Sequence, residues 1–259
     1  MPSLPSLAIV TGTSTGIGHA VAERLLAAGW EVVGAARRDA AIAHPRYRHL
    51  TVDLIHLRDV VTVFEAEVAP LIADPVRRRI GLVNNAASLG ALATIDTRDP
   101  RASLAVYALN VIVPEWLMGF VLRHTRHDCA LRIVNVSSGA AQRAVPGAGV
   151  YVGTKAALRM ATFNVAAELG MEPLKSRVTP DVALVAYSPG TVATPMQVEA
   201  RSPTVEAFPS QPAFQKYYDS GALVPPERPA AEIAAFLDSE RPPRMEERRL
   251  GDGLGRPGA

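Results

Sequence analysis

Leu7-Ala8-Ile9-Val10-Thr11-Gly12-Thr13-Ser14-Thr15-Gly16-Ile17-Gly18 is the stretch whose reading decides the fold. Its first half is a short apolar run that reads as a buried strand. After it, Ile17, Val21, Leu25 and Ala28 form a helical apolar stripe that Gly29 closes. Between strand and helix, Gly12 and Gly16 let the backbone turn sharply. The N–H groups around Ser14 and Thr15 are thereby brought to the positive end of a helix, where a pyrophosphate is well received. Gly18 permits close packing of that helix on the strand. A glycine-rich turn alone is equally a plain turn; its place after the first strand of an alternating chain is what gives it weight.

The alternation continues outward from there. Glu31–Ala36, His49–Asp53, Ile80–Asn84, Arg132–Ser137 and Val182–Ser188 read as further buried strands, rich in Val, Ile and Leu. Helices are expected around Val60, Phe64 and Val68, over Leu104–Leu122 with a kink at Pro114, and over Val150–Leu169. This order predicts an α/β fold, a doubly wound parallel sheet with helices on both faces, in one domain spanning 1–259. From Pro189 to Pro229 the pattern lapses into a Pro-, Ser- and Thr-rich stretch that reads as a lid over a binding site, about 189–229. A short helix over Ala230–Leu237 and a Gly- and Pro-rich tail follow, frayed over 251–259.

Bulk properties narrow the class. The 259 residues are 48% hydrophobic and 20% charged, and 27 Lys plus Arg against 25 Asp plus Glu give a net charge of +2. That balance offers nothing to nucleic acid or an anionic membrane. Arg77-Arg78-Arg79 and the mixed-sign run Arg241–Arg249 read as solvated surface. Cys129 is the single cysteine, which excludes an internal disulfide, fits a reducing compartment and reads as inert. Met1–Ser6 lacks the features of a secretory signal, and no apolar run approaches the ~20 residues of a membrane span. A cytoplasmic location is expected. The six histidines lack metal spacing, His124 and His127 reading as helix-end residues, so no metal site is expected.

A second constellation carries chemistry. Tyr151 and Lys155, four apart on a predicted helix, share one face. A free phenol titrates near ~10, and a neighbouring ammonium favours its ionised form. Ser138, at the end of the fifth strand, can project a hydroxyl beyond the sheet. Together with Asn84-Asn85-Ala86-Ala87, the helix residue Asn110 and the turn Pro189-Gly190, these residues resemble the short-chain dehydrogenase/reductase family in its single-domain, Rossmann-like form. The likeness runs from Leu7 to about Leu237. Ala87 departs from that family's usual glycine.

The resemblance implies an NAD(P)-dependent oxidoreductase acting between carbonyl and alcohol. It gives Tyr151 the role of acid/base and Ser138 that of carbonyl orienter. Lys155 would lower the Tyr151 pKa and hold the nicotinamide ribose, and Asn110 would hold a water; for Asn110 capping or kinking a helix is the plainer alternative. The cofactor would lie along Gly12, Ser14, Thr15, Gly16, Ile17, Gly18, Asn85, Ala86 and Ala87, then Tyr151, Lys155, Pro189, Gly190, Val192 and Thr194, with Asp53 and Leu54 at its adenine. Asp53 is equally read as a helix N-cap. Ala36, in place of an acidic residue, followed by Arg37 and Arg38, favours NADP(H) over NAD(H). Thr15 weighs the other way.

Ser188–Gln197, with Arg201 and Gly221–Pro225, resembles the subgroup that contains sepiapterin and benzil reductases. Ala193 and Pro195 stand where those relatives often carry an acidic residue. Reduction of a small apolar ketone or vicinal diketone is therefore expected, with steroid or acyl-thioester reduction as the alternative. An epimerase of the family's extended branch lacks room for its second domain, and a non-catalytic cofactor sensor has no use for all four of Asn110, Ser138, Tyr151 and Lys155. By analogy a homodimer or homotetramer is expected.

Overall fold

A computed structural model describes residues 5–252. Seven strands form one wholly parallel sheet in the order β3-β2-β1-β4-β5-β6-β7. They are β1 (Ser6–Thr11), β2 (Glu31–Ala36), β3 (Tyr47–Thr51), β4 (Arg79–Asn84), β5 (Ala130–Val136), β6 (Val182–Ser188) and β7 (Met245–Arg249). The helices are α1 (Gly16–Ala27), α2 (Leu57–Glu67), α3 (Ala69–Ala73), α4 (Pro100–Tyr107), α5 (Val113–His124), α6 (Gly149–Glu168), α7 (Leu174–Arg177), α8 (Pro195–Arg201), α9 (Gln211–Asp219) and α10 (Glu227–Asp238).

Strand residues alternate between two cores, as the pleat requires. Leu7 and Ile9 face a core shared with Val60 and Phe64 of α2, Ile72 of α3 and Leu117 and Phe120 of α5. Ala8 and Val10 face the other, with Val21 and Leu25 of α1 and Ile233 and Leu237 of α10. Both faces being covered, the central strands can be apolar throughout. The strand order reverses between β1 and β4, which opens a crevice at their C-terminal ends, where ligands of such sheets bind.

Several expectations need correction. The run Arg241–Arg249 leaves Arg241, Arg244, Glu247 and Arg249 exposed, but it is not a loop or helix end: Met245–Arg249 forms β7, parallel to β6. Its charges are paired, since Glu247 takes a bidentate bond from Arg159 at 2.6 and 2.7 Å and Glu246 bonds Arg248. Nor is Arg77-Arg78-Arg79 a solvated cluster. Arg77 is buried and donates to Glu31 at 2.7 Å, and Arg79 is buried within β4. The segment 189–229 is not a structureless loop, because it carries α8 and α9. Strand β3 begins at Tyr47, two residues ahead of expectation, and α10 reaches back to Glu227. The expected fraying lies, beyond Asp252, outside the described residues, as do Met1–Leu4 at the other end.

The helix expected over Leu104–Leu122 runs from Pro100 to His124 and contains a π turn at Ala108–Ile112 rather than a proline kink. Pro114 has no N–H to offer the carbonyl four residues back, that of Asn110, so the α-helical ladder is broken there by chemistry. By length and composition this 25-residue helix, which holds an 18-residue window of mean hydropathy 1.7, could cross a membrane, contrary to the sequence expectation. Half of its apolar stretch is buried in the protein, α5 packing on α3, β4 and β5.

Candidate active site

The glycine-rich turn is built against the end of β4. Thr11 Oγ1 accepts from the backbone N–H groups of Asn85 and Ala86, both at 3.0 Å, and donates to the Val83 carbonyl at 3.3 Å. The Asn85 side chain donates to the carbonyls of Thr11 at 2.9 Å and Gly12 at 3.3 Å. A Cβ on Gly18 would lie 2.4 Å from both the Gly12 carbonyl oxygen and Asn85 Nδ2. Gly12 and Gly16 have φ of +75° and +63°, a backbone region that suits glycine. A Cβ on Gly16 would lie 3.0 Å from the Thr194 methyl, so the turn after β6 closes over this one. Pro189 is buried there, Gly190 has φ of +75°, and Val192 bridges Val224. The helix α1 begins at Gly16 with no side-chain cap and no acidic residue in its first turn, which leaves its N–H groups for an anion. This shape and these donors fit the diphosphate of a dinucleotide.

At the ends of β2 and β3, Arg37 and Arg38 are exposed, and Arg37 lies 3.9 Å from the Asp53 carboxylate. Asp53 does not cap α2, whose N-cap is His56; it accepts instead from the Ile55 N–H at 3.2 Å. Leu54 is buried beside it, Thr15 is exposed, and Ser14, Ile17 and Ala87 are half-buried along the crevice.

The π turn places Asn110, almost wholly buried, between the loop after β4 and helix α6. Its amide donates to the Ser88 carbonyl at 2.9 Å and to Thr154 Oγ1 at 3.0 Å, and its oxygen accepts from the Ser88 N–H at 3.0 Å. Thr154 in turn donates to the Tyr151 carbonyl at 2.8 Å. Asn110 thus ties the strand β4 loop to the helix that carries Tyr151 and Lys155, and it is not a helix cap. Ser88 and Thr154 were not singled out in the sequence. Thr154 stands inside Tyr151–Lys155 and could have been; nothing marked Ser88.

Ser138 follows β5 by two residues, accepts from the Ala140 N–H at 3.1 Å and shares a hydrogen bond with Tyr151. Tyr151 is held above a phenol's usual range by burial, which outweighs the lowering by Ser138. Lys155 is 3% exposed, donates to the Val136 carbonyl at 2.7 Å, and lies 5.7 Å from the centroid of the Tyr151 ring. Burial lowers it to about 8. Tyr151, Leu92, Val145, Met196 and Phe214 all pack on buried Leu89, Ala148, Ala200 and Phe208. The cluster against which Tyr151 packs is therefore apolar. Cys129 is buried, its thiol pushed up to about 11 by that burial. His124 pairs with Glu65 at 3.1 Å, at the end of α5. Among the described residues there is no group of three His, Cys, Asp or Glu side chains that could hold a metal.

The buried lysine leads to a first prediction. Its displacement from 10.5 to about 8 corresponds to roughly 3 kcal/mol against burying the charge. The bond to Val136 returns about 1 kcal/mol of that. Below about pH 8 the group is charged in folded and unfolded chains alike, so the penalty is fully present. Between about 8 and 10.5 the folded chain has released a proton that the unfolded chain keeps, and the penalty fades. Lys155→Met should therefore be more stable than the parent by about 2 kcal/mol at pH 7, with the gap narrowing toward pH 10. Denaturant melts of both proteins at the two pH values measure it; a gap that does not narrow contradicts the burial argument.

The sequence model of the short chain dehydrogenase family matches residues 6–204. The chain is 30% identical over 252 residues to a benzil reductase ((S)-benzoin forming) of Bacillus cereus, covering 94% of this chain and 98% of that one. It is 30% identical over 237 residues to the enzyme of the same description from Bacillus subtilis (strain 168), covering 90% and 93%. A solved short chain dehydrogenase/reductase from Saccharomyces cerevisiae superimposes with a TM-score of 0.80 at 22% identity, over 96% of each chain.

Proposed function

The chain belongs to the short-chain dehydrogenase/reductase family, as an oxidoreductase that uses a nicotinamide cofactor, and from that premise we propose that it is an NADPH-dependent reductase of small apolar ketones, vicinal diketones above all. The observation that carries this reading is the placement of Tyr151: its hydroxyl meets Ser138, and it packs on the buried apolar cluster of Leu89, Ala148, Ala200 and Phe208, against which Met196 and Phe214 also pack. An apolar wall of this kind accepts a flat, uncharged ligand and strands a charged one. The 30% identity to two benzil reductases, each covered over at least 93% of its length, supports the same substrate class.

When bound, the nicotinamide supplies the hydride. Gly12, Gly16 and Gly18, with the first turn of α1, would hold its diphosphate, and Lys155 its ribose. The chain's own part is to orient and to move a proton. Ser138 donates to the substrate oxygen and fixes the carbonyl. Tyr151, kept protonated by burial, gives its proton to that oxygen as the C–H bond forms. Lys155, cationic below about pH 8, stabilises the phenolate left behind. Asn110 holds α6 in register with the loop after β4. Preference for NADPH rests on exposed Arg37 and Arg38 and on the absence of a carboxylate at Ala36. Against it stands the Arg37–Asp53 pair, which a 2′-phosphate must outcompete. The segment 189–229 acts as a lid, and a cytoplasmic location suits the single buried Cys129.

Initial rates with benzil, a ketosteroid and an acetoacetyl thioester, each with NADPH and with NADH, test the proposal. Benzil with NADPH should be fastest by at least tenfold. A faster thioester or steroid overturns the substrate class, and equal rates with NADH overturn the cofactor preference.

A further inference from the structure

We propose that Tyr47 is a positioning residue for the nicotinamide cofactor, acting through Thr13 on the glycine-rich turn that receives the diphosphate. The inference rests on reading that turn as the cofactor's cradle. Thr13 is fully buried, the second residue of the turn, with its side chain aimed away from the crevice into the protein. Its Oγ1 lies 3.0 Å from the Tyr47 hydroxyl, and that hydroxyl lies 3.0 Å from His49 Nδ1. A hydrogen-bonded chain thus runs from the edge strand β3, across β2, into the turn. It crosses β2 at Gly34, where a Cβ would lie 2.2 Å from the Tyr47 oxygen and 2.6 Å from Thr13 Oγ1. Glycine at that point is what lets the two hydroxyls meet. From the other side, His19 of α1 bonds the Thr13 carbonyl at 3.1 Å. Side chain and backbone of Thr13 are each anchored, so the N–H groups that follow it are oriented before any ligand arrives. Burial keeps the Tyr47 phenol protonated, so its hydroxyl remains a donor across the neutral range.

An anion site made of backbone N–H groups gains affinity from such prior ordering, because the loop has less freedom to lose on binding. Removing the Tyr47 hydroxyl should therefore weaken cofactor binding while leaving the chemical step alone. Tyr47→Phe keeps the ring, and Thr13→Val keeps the shape of the side chain while removing its hydroxyl. Both should raise the dissociation constant for NADPH, measured by calorimetry, five- to twentyfold. Thr13→Ser, which keeps the hydroxyl, should stay within twofold of the parent. The kcat of Tyr47→Phe at saturating cofactor should also stay within twofold, with the loss confined to the cofactor KM. Should Tyr47→Phe not fold, the valine and serine pair at Thr13 carries the same comparison. Unchanged dissociation constants alongside a lowered Tm would make Tyr47 merely structural and overturn the proposal. So would a loss in Thr13→Ser as large as in Thr13→Val. If the parent itself binds neither NADPH nor NADH, it is the cradle reading that fails, and the proposal with it.

Discussion

Tyr151→Phe is expected to lower kcat for ketone reduction by about a thousandfold, within the range that a positioned proton donor contributes. Cofactor affinity should stay within a few-fold, because the contacts available to a diphosphate lie in the turn after β1 and at α1. The fold should be untouched. The ring remains packed on the cluster of Leu89, Ala148, Ala200 and Phe208, and Ser138 keeps its bond from the Ala140 N–H at 3.1 Å. The phenol is neutral before substitution, burial having raised it, so no partner charge is stranded. Stopped-flow rates, a cofactor titration and a thermal melt together make the measurement. A variant that keeps a tenth of the parent rate at neutral pH removes Tyr151 from the acid/base role.

Gly18→Ala should produce the other large effect, and by a different route. Its new methyl would sit 2.4 Å from the Gly12 carbonyl oxygen and 2.4 Å from Asn85 Nδ2. Neither neighbour yields cheaply. The carbonyl is backbone of a turn already at positive φ, and the amide is tied to the Thr11 and Gly12 carbonyls. Either α1 moves off the strand or the turn opens. Overpacking of this kind costs about 1–3 kcal/mol in stability. Displacing the N–H groups from the diphosphate should weaken NADPH at least a hundredfold, roughly 2.7 kcal/mol. A calorimetric titration of a folded variant decides it; binding within tenfold of the parent means that the turn can relax at little cost.

Legibility in the sequence followed burial. The strands at the centre of the sheet are apolar runs because both faces are covered, and these were readable to within two residues. Strand β7 was not, because Met245-Glu246-Glu247-Arg248-Arg249 has neither an apolar run nor alternation. It is an edge strand, its outer side kept charged and its charges satisfied by Arg159 and by each other, which is how edges are protected from further pairing. Arg77 and Arg79 misled for the converse reason. Their charge suggested solvent, whereas Arg77 is met by Glu31 and the Leu71 carbonyl, and Arg79 by Asp238 and the Leu237 carbonyl. Helices α8 and α9 are short, carry a proline in their first two positions and bury one residue or none, so no helical stripe announces them. In the site, the residues marked by motif were legible. Those that hold them in place, Thr11, Ser88 and Tyr47, were not, since a hydroxyl or a main-chain amide that meets a distant partner leaves no local pattern.

The π turn in the helix from Pro100 to His124 has a wider consequence. One additional residue in a turn rotates everything after it by about 100°, so the two halves of this helix have separate reading frames. The first half addresses α6; the second addresses α3 and the strands as well as α6. A helix that serves two surfaces in two frames must be apolar on more than one side. This accounts for a composition that, over an 18-residue window, has the hydropathy of a bilayer span while half of that window lies in the protein's interior. Hydropathy averaged along a chain assumes that one frame runs through it, and here Asn110 sits where the frame changes.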